Sequence, residues 1–192
     1  MTAKAPVQPP ESHDPPGDQQ LIAAINNGDV AAFDVLYHRH CDWVVNLALR
    51  FTGDEHLALD VMQETFIYLL RKFPGFRLTA NLKTFLYPAV KNLSIAARRK
   101  AGRIQSTEGE QQLLEQLASA EIPLASSSDL SAALANLSLE HREVILLRFM
   151  DDLTMAEIAT ATNIPAGTVK SRLHNALAAL RQDKRARDFF EN

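Results

Sequence analysis

The stretch from Leu153 to Arg181, LTMAEIATATNIPAGTVKSRLHNALAALR, constrains this chain more than any other. Its punctuation leaves room for one arrangement: a helix, a tight turn and a second helix. Thr154 and Glu157 stand at capping-box spacing, so hydroxyl and carboxylate can each satisfy a free amide at the helix start. Ile158 and Ala159 continue an apolar face. Asn163 falls where the chain must turn, and its side chain tolerates the left-handed region. Pro165 suits the first position of the next helix, where a missing N–H costs nothing. On that helix Val169, Leu173, Ala176, Leu177 and Leu180 form one stripe that packs inward. The other face carries Thr168, Lys170, Ser171, His174 and Asn175, with Arg172 at its border. Small, polar and basic groups early on an exposed helix are what phosphates and base edges require.

A net charge of −3 argues against a nucleic-acid binder until the charges are placed. Arg77 to Thr107 holds seven basic residues (Arg77, Lys83, Lys91, Arg98, Arg99, Lys100, Arg103) and no acid. Pro165 to Arg187 holds six basic residues against Asp183 alone. Between them, Ile104 to Leu130 carries five acids and no base. Phosphate binding follows local potential, so two basic modules on an acidic tether are credible. There is no apolar run of about 18 residues to cross a membrane, and no signal-peptide pattern, so a cytoplasmic location is expected. Cys41 is the single cysteine, which excludes an internal disulfide.

Alternating strand patterns are absent, and the periodicity predicts an all-α chain. Residues 1–17 hold five of the nine prolines and read as a disordered leader. A first domain, 18–100, is expected to contain a short helix over Gln19–Asn26 and a long one from Asp29 that stops at Gly53. A third helix should run over about Asp54–Lys72 and a fourth over about Phe85–Lys100, separated by a loop from Phe73 to Lys83. Pro88, near the start of the fourth, removes an amide hydrogen bond there. Residues 101–129 form a flexible acidic linker. A second small helical domain, 130–187, contains the helix-turn-helix and is followed by a tail, 188–192.

Three blocks resemble the extracytoplasmic-function (ECF, group IV) sigma factors of bacterial RNA polymerase: DVMQETFIYLLRKFPGF at 60–76, KTFLYPAVKNLSIAARRK at 83–100, and LSLEHREVILLRFMDDLTMAEIATATNIPAGTVKSRLHNAL at 137–177. A basic recognition helix about 100 residues after a QETF block is far more specific than a helix-turn-helix alone. The resemblance implies a factor that directs core polymerase to promoters and opens the −10 DNA. Residues 18–100 would be sigma region 2 and 130–187 sigma region 4.

Asp60, Gln63 and Glu64 lie at spacings of three and four, on one helix face. By resemblance this face binds the basic coiled-coil of the polymerase's large subunit, although an acidic helix start is also simply favourable to the dipole. Leu59 stands where relatives usually carry a second acid. The resemblance places a pocket for a flipped −10 base at Phe76 and Asn92, with Lys83, Lys91, Arg98 and Arg99 holding phosphates. Unstacking a base costs a few kcal/mol, and an aromatic wall returns about 1–3 kcal/mol. Phe76 reads equally as a core plug under its loop. Phe85 occupies a position where many relatives have tryptophan. The −35 reader would be Thr168, Lys170, Ser171, Arg172 and Asn175, the last often arginine in relatives.

The linker's 29 residues extend to about 95 Å, more than the roughly 70 Å of two turns of B-DNA between promoter elements. It reads either as a plain spacer or, by resemblance, as a phosphate mimic threading the polymerase. His38, Cys41 and Asp42 share a helix face near His40, and no second cluster completes a metal or thiol-sensing site. With no nucleophile–base pair, glycine-rich phosphate loop or complete metal set, neither catalysis nor a cofactor is expected. Partners implied by the resemblance are core RNA polymerase, promoter DNA and an anti-sigma factor. Two other functions use some of these residues: a stand-alone helix-turn-helix regulator, which leaves the first two blocks unexplained, and a sigma-like decoy for an anti-sigma protein.

Overall fold

The computed structural model describes residues 16–102 and 128–184, and within them every regular element is helical. The first group comprises α1 (Asp18–Asn26), α2 (Val30–Thr52), α3 (Glu55–Leu70) and α4 (Leu82–Lys100). The second comprises α5 (Ser128–Ala135), α6 (Leu139–Phe149), α7 (Met155–Thr162) and α8 (Ala166–Gln182). The leader expected over residues 1–17 falls almost wholly outside the described residues, as do most of the acidic linker and the tail.

Local chemistry sets most helix ends. Asp29 caps α2 by accepting from the Ala32 amide at 3.2 Å, and Gly53 closes that helix in the left-handed region at φ 63°. Asp54 then caps α3 through the Leu57 amide at 3.0 Å. The Thr154–Glu157 capping box is complete, and Asn163 closes α7 at φ 55°. Two ends differ from expectation. Asn81 accepts from the Lys83 amide at 3.0 Å, so α4 starts at Leu82, three residues before Phe85. Pro88 is therefore the seventh residue of α4 and leaves the Thr84 carbonyl without its helical partner. Pro165 is the N-cap of α8 rather than its first residue: its ψ of 143° is extended, and its carbonyl takes the Thr168 and Val169 amides at 2.9 and 3.1 Å.

Helices α2, α3 and α4 bury Leu36, Val44, Leu69, Leu82, Leu86 and Val90 between them. Helix α1 lies on α2 with Leu21 and Ile22 inward. Asp18 holds its start there, receiving Arg39 Nη1 at 2.7 Å and lying 2.8 Å from His40 Nε2. In the second group Val144, Leu147, Leu153, Ile158, Val169 and Ala176 are buried together. Arg142 is 2 % exposed and donates to the carbonyls of Leu134, Ala135 and Leu137, which close α5.

The two groups dock through α4 and α7. Leu47, Phe51 and Tyr87 of the first face Leu146 and Leu147 of the second across a small gap. At the seam, Asp151 in the α6–α7 turn is 2 % exposed. Its Oδ1 accepts from Arg50 Nη2 and Trp43 Nε1, both at 2.7 Å, and its Oδ2 lies 3.0 Å from the same Arg50 nitrogen.

Asp151→Ala strands the Arg50 guanidinium at a buried seam, a loss of about 3–5 kcal/mol. Replacing both residues with apolar side chains of similar volume, Arg50→Met with Asp151→Leu, should restore much of it. Urea midpoints of the three variants against the parent measure both.

Candidate nucleic-acid and polymerase interfaces

Helix α8 buries its apolar stripe against α6 and α7, which turns the opposite face outward. Lys170, Ser171, His174 and Asn175 are exposed, and Thr168 and Arg172 are half-buried. Ser171 Oγ donates to the Thr168 carbonyl at 3.0 Å, a local bond that leaves its two lone pairs facing out. Arg172 is held by Glu140 of α6, Nη2 to Oε2 at 2.9 Å. Glu140 is largely exposed, so this pair is weak and exchangeable.

In the first group Asp60, Gln63 and Glu64 are all exposed on α3. Asp60 and Glu64 line a groove with Leu57 and Val61, closed on the far side by Ala96, Ala97 and Lys100 at the end of α4. Small side chains on α4 make the groove possible. Gln63 lies outside it. Leu59, Ile67 and Leu70 expose apolar surface along the same helix, so the acidic edge adjoins a greasy one.

The loop between α3 and α4 carries an aromatic chain. Phe76 lies 4.7 Å from Phe85 and 5.5 Å from Phe73, centroid to centroid, and Phe85 stacks on Tyr68 at 5.9 Å. Phe76 is half-buried: its ring joins this cluster and, with Phe73 and Phe85, packs against the helical core. Its backbone is held by Asn26, the last residue of α1. Asn92 is exposed on α4, seven residues beyond Phe85 and so on the same face about 10 Å further along.

The basic residues of this group divide. Lys83 donates from Nζ to the Asp151 carbonyl at 3.0 Å and lies 5.7 Å from the Trp43 ring. Lys91 pairs with Glu143 of α6 at 2.8 Å. Arg98 is 6 % exposed and bonds the Phe51 carbonyl at 3.2 Å, so it braces α4 on the end of α2. Arg99 is exposed. Of the six residues expected around a −10 base, Phe76, Asn92 and, a further seven residues along, Arg99 share the loop-side face; Arg98 turns inward, and Lys83 and Lys91 point to the seam. No sequence signal marked Trp43, Arg50, Glu143 or Asp151, because they sit far apart in the chain and each fits an ordinary helix or turn.

His40 turns inward to Asp18, while His38 meets Asp34 at 3.4 Å. The Cys41 thiol's pKa is raised by burial and then by Asp42, which disfavours a reactive thiolate. Among the described residues no three such side chains converge on a metal position, and no helix is long and apolar enough to cross a membrane.

Comparison with known proteins agrees with this geometry. The Sigma-70 region 2 family matches residues 36–104, and the Sigma-70 region 4 family matches 133–182. The ECF RNA polymerase sigma factor SigW of Bacillus subtilis is 30 % identical over 180 residues, covering 87 % of this chain and 96 % of the relative. SigL of Mycobacterium tuberculosis is 37 % identical over 158 residues, covering 80 % and 89 %. Two solved structures share the fold at 22 % identity. CnrH in complex with the cytosolic domain of CnrY gives a TM-score of 0.60 over 84 % of this chain and 93 % of that one. RpoE in complex with the anti-sigma factor NepR from Bartonella quintana gives 0.57 over 80 % and 96 %. A two-part helical protein with an acidic groove on one part and a capped helix-turn-helix on the other is thus a bacterial transcription initiation factor of the sigma-70 type. The chain belongs to the ECF sigma factors, which direct RNA polymerase to promoters.

Tyr87 offers a readout of the seam. Burial, and then Glu143 beside it, push its phenol well above its usual range. A raised pKa contributes stability that is present below the unfolded value, about 10, and is lost as pH rises beyond it, because only the unfolded chain then sheds the proton. Between pH 9 and about 11 the parent should lose more stability than Tyr87→Phe, as measured by urea denaturation at each pH.

Proposed function

We propose the following division of labour. The groove edged by Asp60 and Glu64, with Gln63 beside it, receives the basic coiled-coil of the polymerase's large subunit. Residues 18–100 act as region 2, with Phe76 and Asn92 taking a flipped −10 base and Lys83, Lys91 and Arg99 lining the path of the backbone, while Arg98, buried on the Phe51 carbonyl, braces α4 instead of meeting phosphate. Residues 130–187 act as region 4, where Thr168, Lys170, Ser171, Arg172 and Asn175 read the −35 element in the major groove. The observation that carries this reading is the pairing of a half-buried aromatic cluster at the α3–α4 loop of one domain with an outward polar helix on the other. The protein acts in the cytoplasm, lends recognition to an enzyme and has no chemistry of its own.

Two elements about two helical turns apart cannot both be reached by domains docked side by side. Engagement therefore separates the domains, and Lys83 and Lys91 exchange the Asp151 carbonyl and the Glu143 carboxylate for DNA phosphates. The 29 residues from 101 to 129 are long enough to permit this. An anti-sigma factor is the natural inhibitor for such a protein; the solved relatives bound to the anti-sigma NepR and to the cytosolic domain of CnrY support that partner class.

Glu64→Arg should weaken association with core polymerase, since like charge would then face the basic coiled-coil. Pull-down of the folded variant measures it, and unchanged affinity removes Glu64 from the interface.

Phe76→Ala or Asn92→Ala should leave core binding intact and lower open-complex formation on duplex promoter by roughly five- to 150-fold, the equivalent of losing about 1–3 kcal/mol of stacking. A template with a pre-opened mismatched bubble should recover much of the loss, because the unstacking is already done. Permanganate footprinting on both templates, with run-off transcription alongside, gives the comparison. Duplex melting at the parental level by both variants places the pocket elsewhere.

A further inference from the structure

Asn26 lies fifty residues before the loop it grips. Its Nδ2 donates to the Phe76 carbonyl at 2.8 Å, and its Oδ1 accepts from the Gly75 amide at 2.6 Å and the Phe76 amide at 3.1 Å. A side-chain amide has two donors and two acceptor lone pairs, and three of those four are spent on two consecutive residues of one loop. Gly75 holds φ at 98°, a conformation that disfavours any side chain. The backbone leading into Phe76 is thus fixed from both sides.

The grip is firm because α1 is firm. Leu21 and Ile22 are buried, and Asp18 is tied to Arg39 and His40 on α2. The Asn26 amide therefore sits on a rigid support instead of following the loop. It also lies outside residues 36–104, the span matched by the region 2 family.

We propose that Asn26 is a positioning residue for promoter melting: it holds the Phe76 backbone so that the ring is already in place when a base leaves the stack. This rests on the reading that Phe76 receives that base. A group held in advance spares the ordering cost at the moment of binding, which is where Asn26 would act.

The test uses the full chain in holoenzyme, with permanganate footprinting on duplex and bubble templates and selection from a −10 library. Asn26→Ala should reduce duplex melting about tenfold, as expected for losing two or three modest hydrogen bonds, with core affinity unchanged. Asn26→Asp, which sets a carboxylate oxygen against the Phe76 carbonyl where Nδ2 now donates, should lose at least as much as Ala. The two variants should also relax base preference at the flipped position, which a residue that merely stabilises the fold would not do.

A double-mutant cycle with Phe76→Ala decides the mechanism. If Asn26 works through Phe76, adding Asn26→Ala to Phe76→Ala costs nothing further. Additive losses, or parental melting and base preference in both Asn26 variants while Phe76→Ala is defective, overturn the positioning role alone. Parental melting by Phe76→Ala overturns the base-pocket reading and the Asn26 role with it.

Discussion

Asp151 is the constraint on which the arrangement of the two domains depends. A carboxylate at 2 % exposure is costly unless its oxygens are satisfied. Here Arg50 and Trp43, both on α2, supply the donors. That requirement fixes the angle at which the α6–α7 turn approaches the first domain, and with it the contact of α7 on α4. The apolar seam of Leu47, Phe51, Leu146 and Leu147 supplies attraction without direction. The ion pair supplies direction, since a small rotation of one domain would break bonds of 2.7 Å.

The same seam engages the cations that the proposed function assigns to promoter phosphates. Lys83 and Lys91 are occupied by the Asp151 carbonyl and the Glu143 carboxylate, and Tyr87 also bonds Glu143. A carbonyl and a carboxylate of the second domain thus occupy the cations of the first. The polar face of α8, proposed to read the −35 element, is turned outward. In the proposed mechanism, duplex recognition by α8 can begin before the domains part, whereas the phosphate contacts of Lys83 and Lys91 cannot.

Helix ends were legible wherever a cap residue acts on its own neighbours. Asp29, Gly53, Asp54, Thr154, Glu157 and Asn163 all do so within four residues. The start of α4 was less legible because the apolar pattern placed the helix at Phe85, although Asn81 is a favourable N-cap residue. Phe76 was ambiguous in the sequence for a related reason. An aromatic residue after Pro-Gly serves a core or a surface cluster equally well, and here it does both, meeting Phe73 and Phe85 while packing against the core.

By itself the sequence determined an all-helical chain, the helix-turn-helix with its outward polar face, the acidic face of α3 and membership of the sigma family. The first three follow from short-range rules, namely caps, turn residues and a 3.6-residue period; the family was carried by the resemblance of three sequence blocks. Tertiary structure decided which polar groups meet. Asn26 with Phe76 and Asp151 with Arg50 are 50 and 101 residues apart, and no local pattern encodes such pairs. They arise because packing the apolar stripes brings distant turns together, and a buried polar atom must then take whatever partner that packing presents.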